Sequence, residues 1–186
     1  MAQGAYERSR DHATRRTLAF FKLVEARAHA RAARLHGRAY SRRAAGLALA
    51  HSETLLGQAH PDDGDPTWID FFTHARLAAD ATEIHRDLEM PHMVMRFEDM
   101  ATMPALTYTR SYGMRNAIVG CAHLQACRLD EGLEHGHRAV DILSHVASIR
   151  SLTYVQDLLD ALTPWNAETN VQELRHRAHQ QLHVPA

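Results

Sequence analysis

Apolar residues recur at spacings of three and four over almost the whole chain, and the pattern is interrupted only at short, glycine- or proline-marked breaks. That periodicity belongs to helices with one buried face, and it excludes the strict alternation of half-buried strands. Leu18, Phe21, Val24, Ala28, Ala32 and Leu35 mark one helical stripe from about Asp11 to Leu35. The pattern breaks at His36 and Gly37 and resumes from Arg38 to about Gln58. The segment HPDDGDP at 60–66 combines two prolines, a glycine and three aspartates, which predicts a loop. A further stripe, from Trp68, Phe71 and Phe72 through Leu77, Ala81 and Ile84, runs to Leu88 and stops at Met90-Pro91. Later segments read as helices over about 92–103, 107–127, 130–146, 148–162 and 167–182, with Asp130 and Ser148 as N-caps. The expectation is an all-α chain of about eight helices with no strand.

Composition agrees, since β-branched residues are scattered singly and glycine and proline are sparse inside the periodic stretches. The turns between paired helices fall near residues 37, 90 and 129, the last two 39 residues apart. A recurring two-helix unit too small to bury its own face predicts stacking of such units as a solenoid. In the third pair Gly120, Gly132 and Ala139 are spaced by twelve and seven, a pattern of small residues that resembles the tetratricopeptide repeat. Asn116, His123 and Gly136 stand where that pattern has larger residues. The expected organisation is a single tetratricopeptide-like domain over 1–186, with hairpins at about 11–58, 67–103 and 107–146 and capping helices at about 148–183.

Two segments carry a more particular resemblance. PTWIDFFTHARLAADATEIHRDL from Pro66, and SIRSLTYVQDLLDALTPW with VQELRHRAHQQL between Ser148 and Leu182, resemble the C-terminal repeat region of actinobacterial helix-turn-helix transcriptional regulators. The shared features are a W-x-x-F/Y-F start to the second hairpin (Trp68, Phe71, Phe72) and an S-x-R start to a penultimate helix (Ser148, Arg150). The resemblance spans about 14–183 and implies a regulatory sensor or effector-binding part. Those regulators begin with a DNA-binding domain, for which there is no room before the first hairpin, so direct base reading by this chain is not expected.

Charge is unevenly placed. Residues 1–43 hold 11 of the 21 basic residues against three acids, an excess of eight positive charges; with −1 overall, the remainder carries −9. Arg27, Arg31, Arg34 and Arg38, at intervals of four, three and four, share one helical face. That stripe can bind phosphates or an acidic partner, or it can dock on the acidic part of the same protein. No aromatics stand beside it for base stacking.

No residue cluster calls for catalysis, a cofactor or a metal. His176, His179 and His183 share a face with Glu173, but a solvated terminal helix offers neither a second ligating element nor a dry shell. Asp62, Asp63 and Asp65 lack the alternating ligands and closing glutamate of a calcium loop and read as a connector. Asp80, Glu83 and His85 do not converge as an acid–base set, and His135 and His137 point apart. Cys121 and Cys127, six residues apart on one helix, lie about 9 Å apart along its axis and on different faces, so they are expected as reduced thiols.

Trp68, Phe71 and Phe72 are expected as core anchors. Met90, Met93, Met95, Met100 and Met103 make an adaptable, mostly packed cluster. In a solenoid the first helix of each pair lines the groove, which nominates Arg76, Thr82, Arg86, Arg110, Arg115 and Asn116 as ligand contacts. No apolar stretch approaches the roughly 20 residues of a membrane span, and the first residues have no apolar signal core, so a cytoplasmic location is expected. The functional expectation is a non-catalytic module that binds a peptide, a protein segment or a small effector, and that can also pair with itself as a homodimer. The alternatives are a nucleic-acid binder using the arginine stripe and a self-associating structural subunit.

Overall fold

The computed structural model describes residues 2–98, 100, 109–146 and 148–182. Among them every regular element is helical. Nine α-helices follow one another: α1 (Ala2–Ser9), α2 (Arg15–His36), α3 (Ala39–Gly57), α4 (His74–Asp87), α5 (Pro91–Glu98), α6 (Thr109–Gln125), α7 (Leu129–Leu143), α8 (Ile149–Ala161) and α9 (Thr169–Leu182). Short 3-10 turns occupy Pro61–Asp63, Thr67–Ile69 and Thr163–Trp165. None of the described helices is long and apolar enough to cross a membrane. The expected end of the fifth helix at Met103 and Pro104, the start of the sixth at Thr107, and His183 lie outside the described residues.

Contacts divide the chain into two compact units. The described residues up to Leu88, with Met100, form the first, and Glu89–Glu98 with those from Thr109 onward form the second. The expected hairpin over 67–103 is therefore split: α4 packs on α2 and α3, whereas α5 packs on α6. The chain leaves α4 through Glu89, whose φ of 55° is left-handed, and Pro91 then opens α5.

In the first unit, α2 and α3 form the antiparallel pair that the break at Gly37 predicts. Gly37 takes φ 62° and donates its N–H to the carbonyl of Ala33, which closes α2. Thr14 caps the other end through its hydroxyl. The buried stripe of α2 is Ala19, Leu23, Ala26, Ala30 and Ala33, rotated from the one drawn through the large aliphatics. Val24 and Leu35 are instead exposed. Ala45 and Ala48 face the same seam from α3, where Ser52 donates to the carbonyl of Ala19 at 2.7 Å. Helix α1, which has no periodic stripe to announce it, rests on α2; the Lys22 ammonium lies 4.2 Å from the Tyr6 ring centroid.

In the second unit, α6 and α7 are the closest pair. A Cβ on Gly120 would lie 3.2 Å from the carbonyl oxygen of Gly132 and 2.9 Å from a Leu158 methyl. The resemblance-based spacing of Gly120 and Gly132 thus corresponds to a real approach of the two backbones. Helices α8 and α9 complete a core of Leu124, Leu133, Leu143, Leu158, Leu162 and Leu174, each contributing about 1.5–3 kcal/mol by burial. The connection from α6 to α7 turns at Cys127, a non-glycine at φ 56°, with the Arg128 N–H returning to the carbonyl of His123. Helix α7 begins at Leu129 with Arg128 at the N-cap, so Asp130 sits in the first turn, where its negative charge is stabilised by the positive end of the helix dipole. Ser148 precedes α8 as expected but makes no side-chain cap bond.

Candidate interaction surface

The arginine stripe of α2 is largely an internal docking face. Arg27 pairs with Glu83 at 2.8 Å and Asp80 at 3.4 Å, and Arg34 with Asp87 at 3.2 Å. Arg76 closes on Asp80 at 2.9 Å, and Arg42 donates to the carbonyl of Leu88 at the end of α4. The acidic residues of α4 thus take up the positive charge that the sequence concentrates on α2. Arg38, at the N-cap of α3, is exposed and has no ion-pair partner among the described residues.

Three of the six nominated groove residues prove to be interior. Thr82 is fully buried and donates to the carbonyl of Ala79. Arg86 is 2 % exposed beside Asp87, its Nε 2.7 Å from that carboxylate. Asn116 is buried, donating to the Tyr112 carbonyl and accepting from His135 Nδ1 at 3.1 Å. Helical position alone does not separate these inward polar groups from surface ones. Arg76 and Arg115 are half-buried and Arg110 is exposed.

The expected aromatic anchors divide. Phe72 is fully buried, but Trp68 and Phe71 are 52 % and 51 % exposed. Phe20 joins them: its centroid lies 5.4 Å from Phe71, 5.4 Å from Phe72 and 6.4 Å from Trp68, each edge-on. The 3-10 turn Thr67–Ile69 sets this geometry, because Ile69 fills the core and rotates its neighbour Trp68 outward. The result is a firm aromatic ledge with two open faces. The segment that carries it is acidic in sequence, residues 59–75 containing Asp62, Asp63, Asp65 and Asp70 and no lysine or arginine, although Asp63 shares a cleft with Arg10 and Arg15. Asp65 is held by Arg16 at 3.0 Å, while Asp62 and Asp70 are exposed with no ion-pair partner among the described residues.

A cleft of about 400 Å³ lies at the start of α2, lined among others by Arg10, His12, Arg15, Asp11 and Asp63. Opposite charges share its walls, so it selects no ligand class. Among the described residues no three histidine, cysteine, aspartate or glutamate side chains converge as metal ligands do. His176 and His179 point outward, opposite the buried stripe Val171, Leu174 and Ala178.

In the second unit the rings of His123 and His135 stack at 5.3 Å, nearly parallel. Burial pushes the pKa of both below the ordinary imidazole value. Arg128 adds to the effect on His123, while the protonated form of His123 and Arg138 add to that on His135; Glu131 and Glu134 oppose it. His137 is lowered by burial and by Arg177, against Glu173. The unfolded chain therefore takes up protons before the folded one as pH falls. Stability is full above about pH 6.5 and declines below it, down to the folded pKa values. The urea midpoint of the second unit is expected to drop between neutral and mildly acidic pH, and His135→Gln to flatten the drop. A midpoint that stays constant over that range contradicts this assignment.

No family model, curated protein or solved structure matches the chain.

Proposed function

We propose that the chain is a non-catalytic interaction module whose aromatic ledge captures a basic, apolar helical segment of a protein. The observation that carries this reading is the half-exposure of Trp68 and Phe71 against Phe20 and the buried Phe72, within a stretch of sequence that has acids and no lysine or arginine. Large exposed aromatics cost solvation unless something covers them, and they are enriched among the anchors of protein interfaces. Unpaired carboxylates beside them favour a cationic visitor, through charge attraction and through contact of guanidinium or ammonium groups with the ring faces. The scaffold, in its finer form, belongs to the same proposal: hairpins of the tetratricopeptide kind, α2 with α3 and α6 with α7. So does the regulatory role implied by the resemblance to helix-turn-helix regulators, in which capture of a segment alters association with another protein.

A labelled amphipathic helical peptide of leucine and lysine is the probe. Fluorescence anisotropy is expected to show saturable binding that weakens with salt, and Trp68→Ala is expected to weaken it about tenfold or more. The glutamate counterpart of the peptide is expected not to bind. Equal binding of the two peptides, or indifference to Trp68→Ala, would remove the ledge as the site.

A further inference from the structure

The outer face of α3 is also largely exposed, with ring contacts where Tyr40 lies edge-on to His29 of α2 and His51 edge-on to Tyr6 of α1. Its inner face is fixed on α2, leaving Tyr40, Arg43, Leu47, Ala50 and Thr54 exposed at intervals of three, four, three and four. Tyr40 is 79 % and Leu47 64 % exposed, the first the most exposed aromatic among the described residues. Such a ridge has the spacing with which one helix inserts into another surface. Its charge is positive: Arg38 and Arg43 are exposed and have no ion-pair partner among the described residues. No acid stands in the first turn of α3, so the positive end of the helix dipole adds to these arginines.

The first unit therefore carries both halves of one contact: an aromatic ledge with free carboxylates, and an apolar helical ridge with free guanidinium groups. Within one molecule Tyr40 is placed elsewhere: it lies edge-on to His29 of α2 at 6.3 Å, nine residues and about 13 Å along that helix from Phe20. We propose that the ledge of one copy receives the N-terminal half of α3 of a second copy, Tyr40 and Leu47 lying against Trp68 and Phe71, with Arg38 and Arg43 facing Asp62 and Asp70. The contact is head-to-tail. The pair keeps one ridge unused on one copy and one ledge unused on the other, so association continues with concentration instead of stopping at a symmetric pair. This inference rests on the ledge being a capture site and names its first occupant.

The test is sedimentation velocity of the full chain. The wild type is expected to gain mass steadily with concentration, and less so at high salt, which screens the arginine–carboxylate pairs. Trp68→Asp, which spoils the ledge, and Leu47→Glu, which spoils the ridge, are each expected to be monomeric. Mixed in equal amounts they are expected to form a one-to-one dimer and nothing larger, since one copy supplies the intact ridge and the other the intact ledge. Arg43→Glu and Asp70→Lys keep the aromatics in place; each alone is expected to associate poorly, since the glutamate introduced in the first would meet Asp70 and the lysine introduced in the second would meet Arg43, whereas their mixture is expected to associate again, because every contact in an alternating chain then pairs opposite charges. Circular dichroism of each variant identifies any loss of fold. A wild type that stays monomeric at every concentration overturns the inference. So does association abolished by Leu47→Glu but untouched by Trp68→Asp, the signature of α3 pairing with α3. If the wild type is monomeric yet binds the leucine–lysine peptide through Trp68, the capture site stands and only the second copy is excluded; if neither associates, both fall.

Discussion

Asp87→Ala is expected to lower the unfolding free energy of the first unit by about 3–5 kcal/mol, the cost of removing one member of a buried ion pair. Asp87 and Arg86 are 4 % and 2 % exposed, and the same carboxylate also receives Arg34 of α2. Arg34 reaches solvent when the carboxylate is lost. Arg86 cannot, so its guanidinium stays buried with one compensating charge fewer. Asp87→Asn keeps an oxygen acceptor and is expected to fall between the wild type and the alanine variant. The pair Arg86→Met with Asp87→Leu, which removes both charges and keeps the volume, is expected to recover much of the loss. Urea denaturation monitored by tryptophan emission and far-ultraviolet circular dichroism measures all three. A loss below about 1 kcal/mol for Asp87→Ala would place this pair with ordinary surface bridges.

The second large effect is steric. Gly120→Val is expected to destabilise the second unit by about 3 kcal/mol, the upper end of the usual cost of overpacking. The obstacle on one side is backbone, the carbonyl oxygen of Gly132 at 3.2 Å, and a carbonyl cannot swing aside as a leucine methyl can. The two helices have to separate, which loosens Leu124, Leu133 and Leu158 together. Gly46 is the control: nothing lies within 4 Å of its added Cβ, so Gly46→Ala is expected to stabilise by about 0.5–1 kcal/mol through helix propensity. Thermal melts that rank the two changes in the opposite order would show that α6 and α7 are not held together at Gly120.

Helical class, the α2–α3 turn and the α6–α7 approach were legible because each rests on a local signal: periodicity, Gly37, and the Gly120–Gly132 spacing. The buried face of α2 was misread because large aliphatics carry more weight in a pattern than alanines do. Val24 and Leu35 drew the stripe to one side of the seam that Ala19, Ala26, Ala30 and Ala33 actually form. Helix α1 was missed because it has no apolar repeat and is anchored through Tyr6. The division between α4 and α5 depends on which neighbours each helix finds, which no local signal encodes. Thr82, Arg86 and Asn116 are nominated as contacts from their place on the first helix of a pair, which does not tell an inward polar residue from a groove-facing one, and each is inside with a partner. Trp68 and Phe71 illustrate the converse, since a single 3-10 turn decides that Ile69 and Phe72 take the interior and their neighbours do not.

The alanine seam of the first unit also limits how this protein can drift over generations. A one-base change in an alanine codon yields valine, threonine, proline, aspartate, glutamate, serine or glycine, and only the last two spare the space between α2 and α3. At Ala19, Ala26, Ala30, Ala33, Ala45 and Ala48 most heritable single steps are therefore closed, while the open surface around Asp70 and Leu47 can vary at little structural cost. Across descendants of this gene, the seam should stay nearly constant while what the outer faces recognise diversifies.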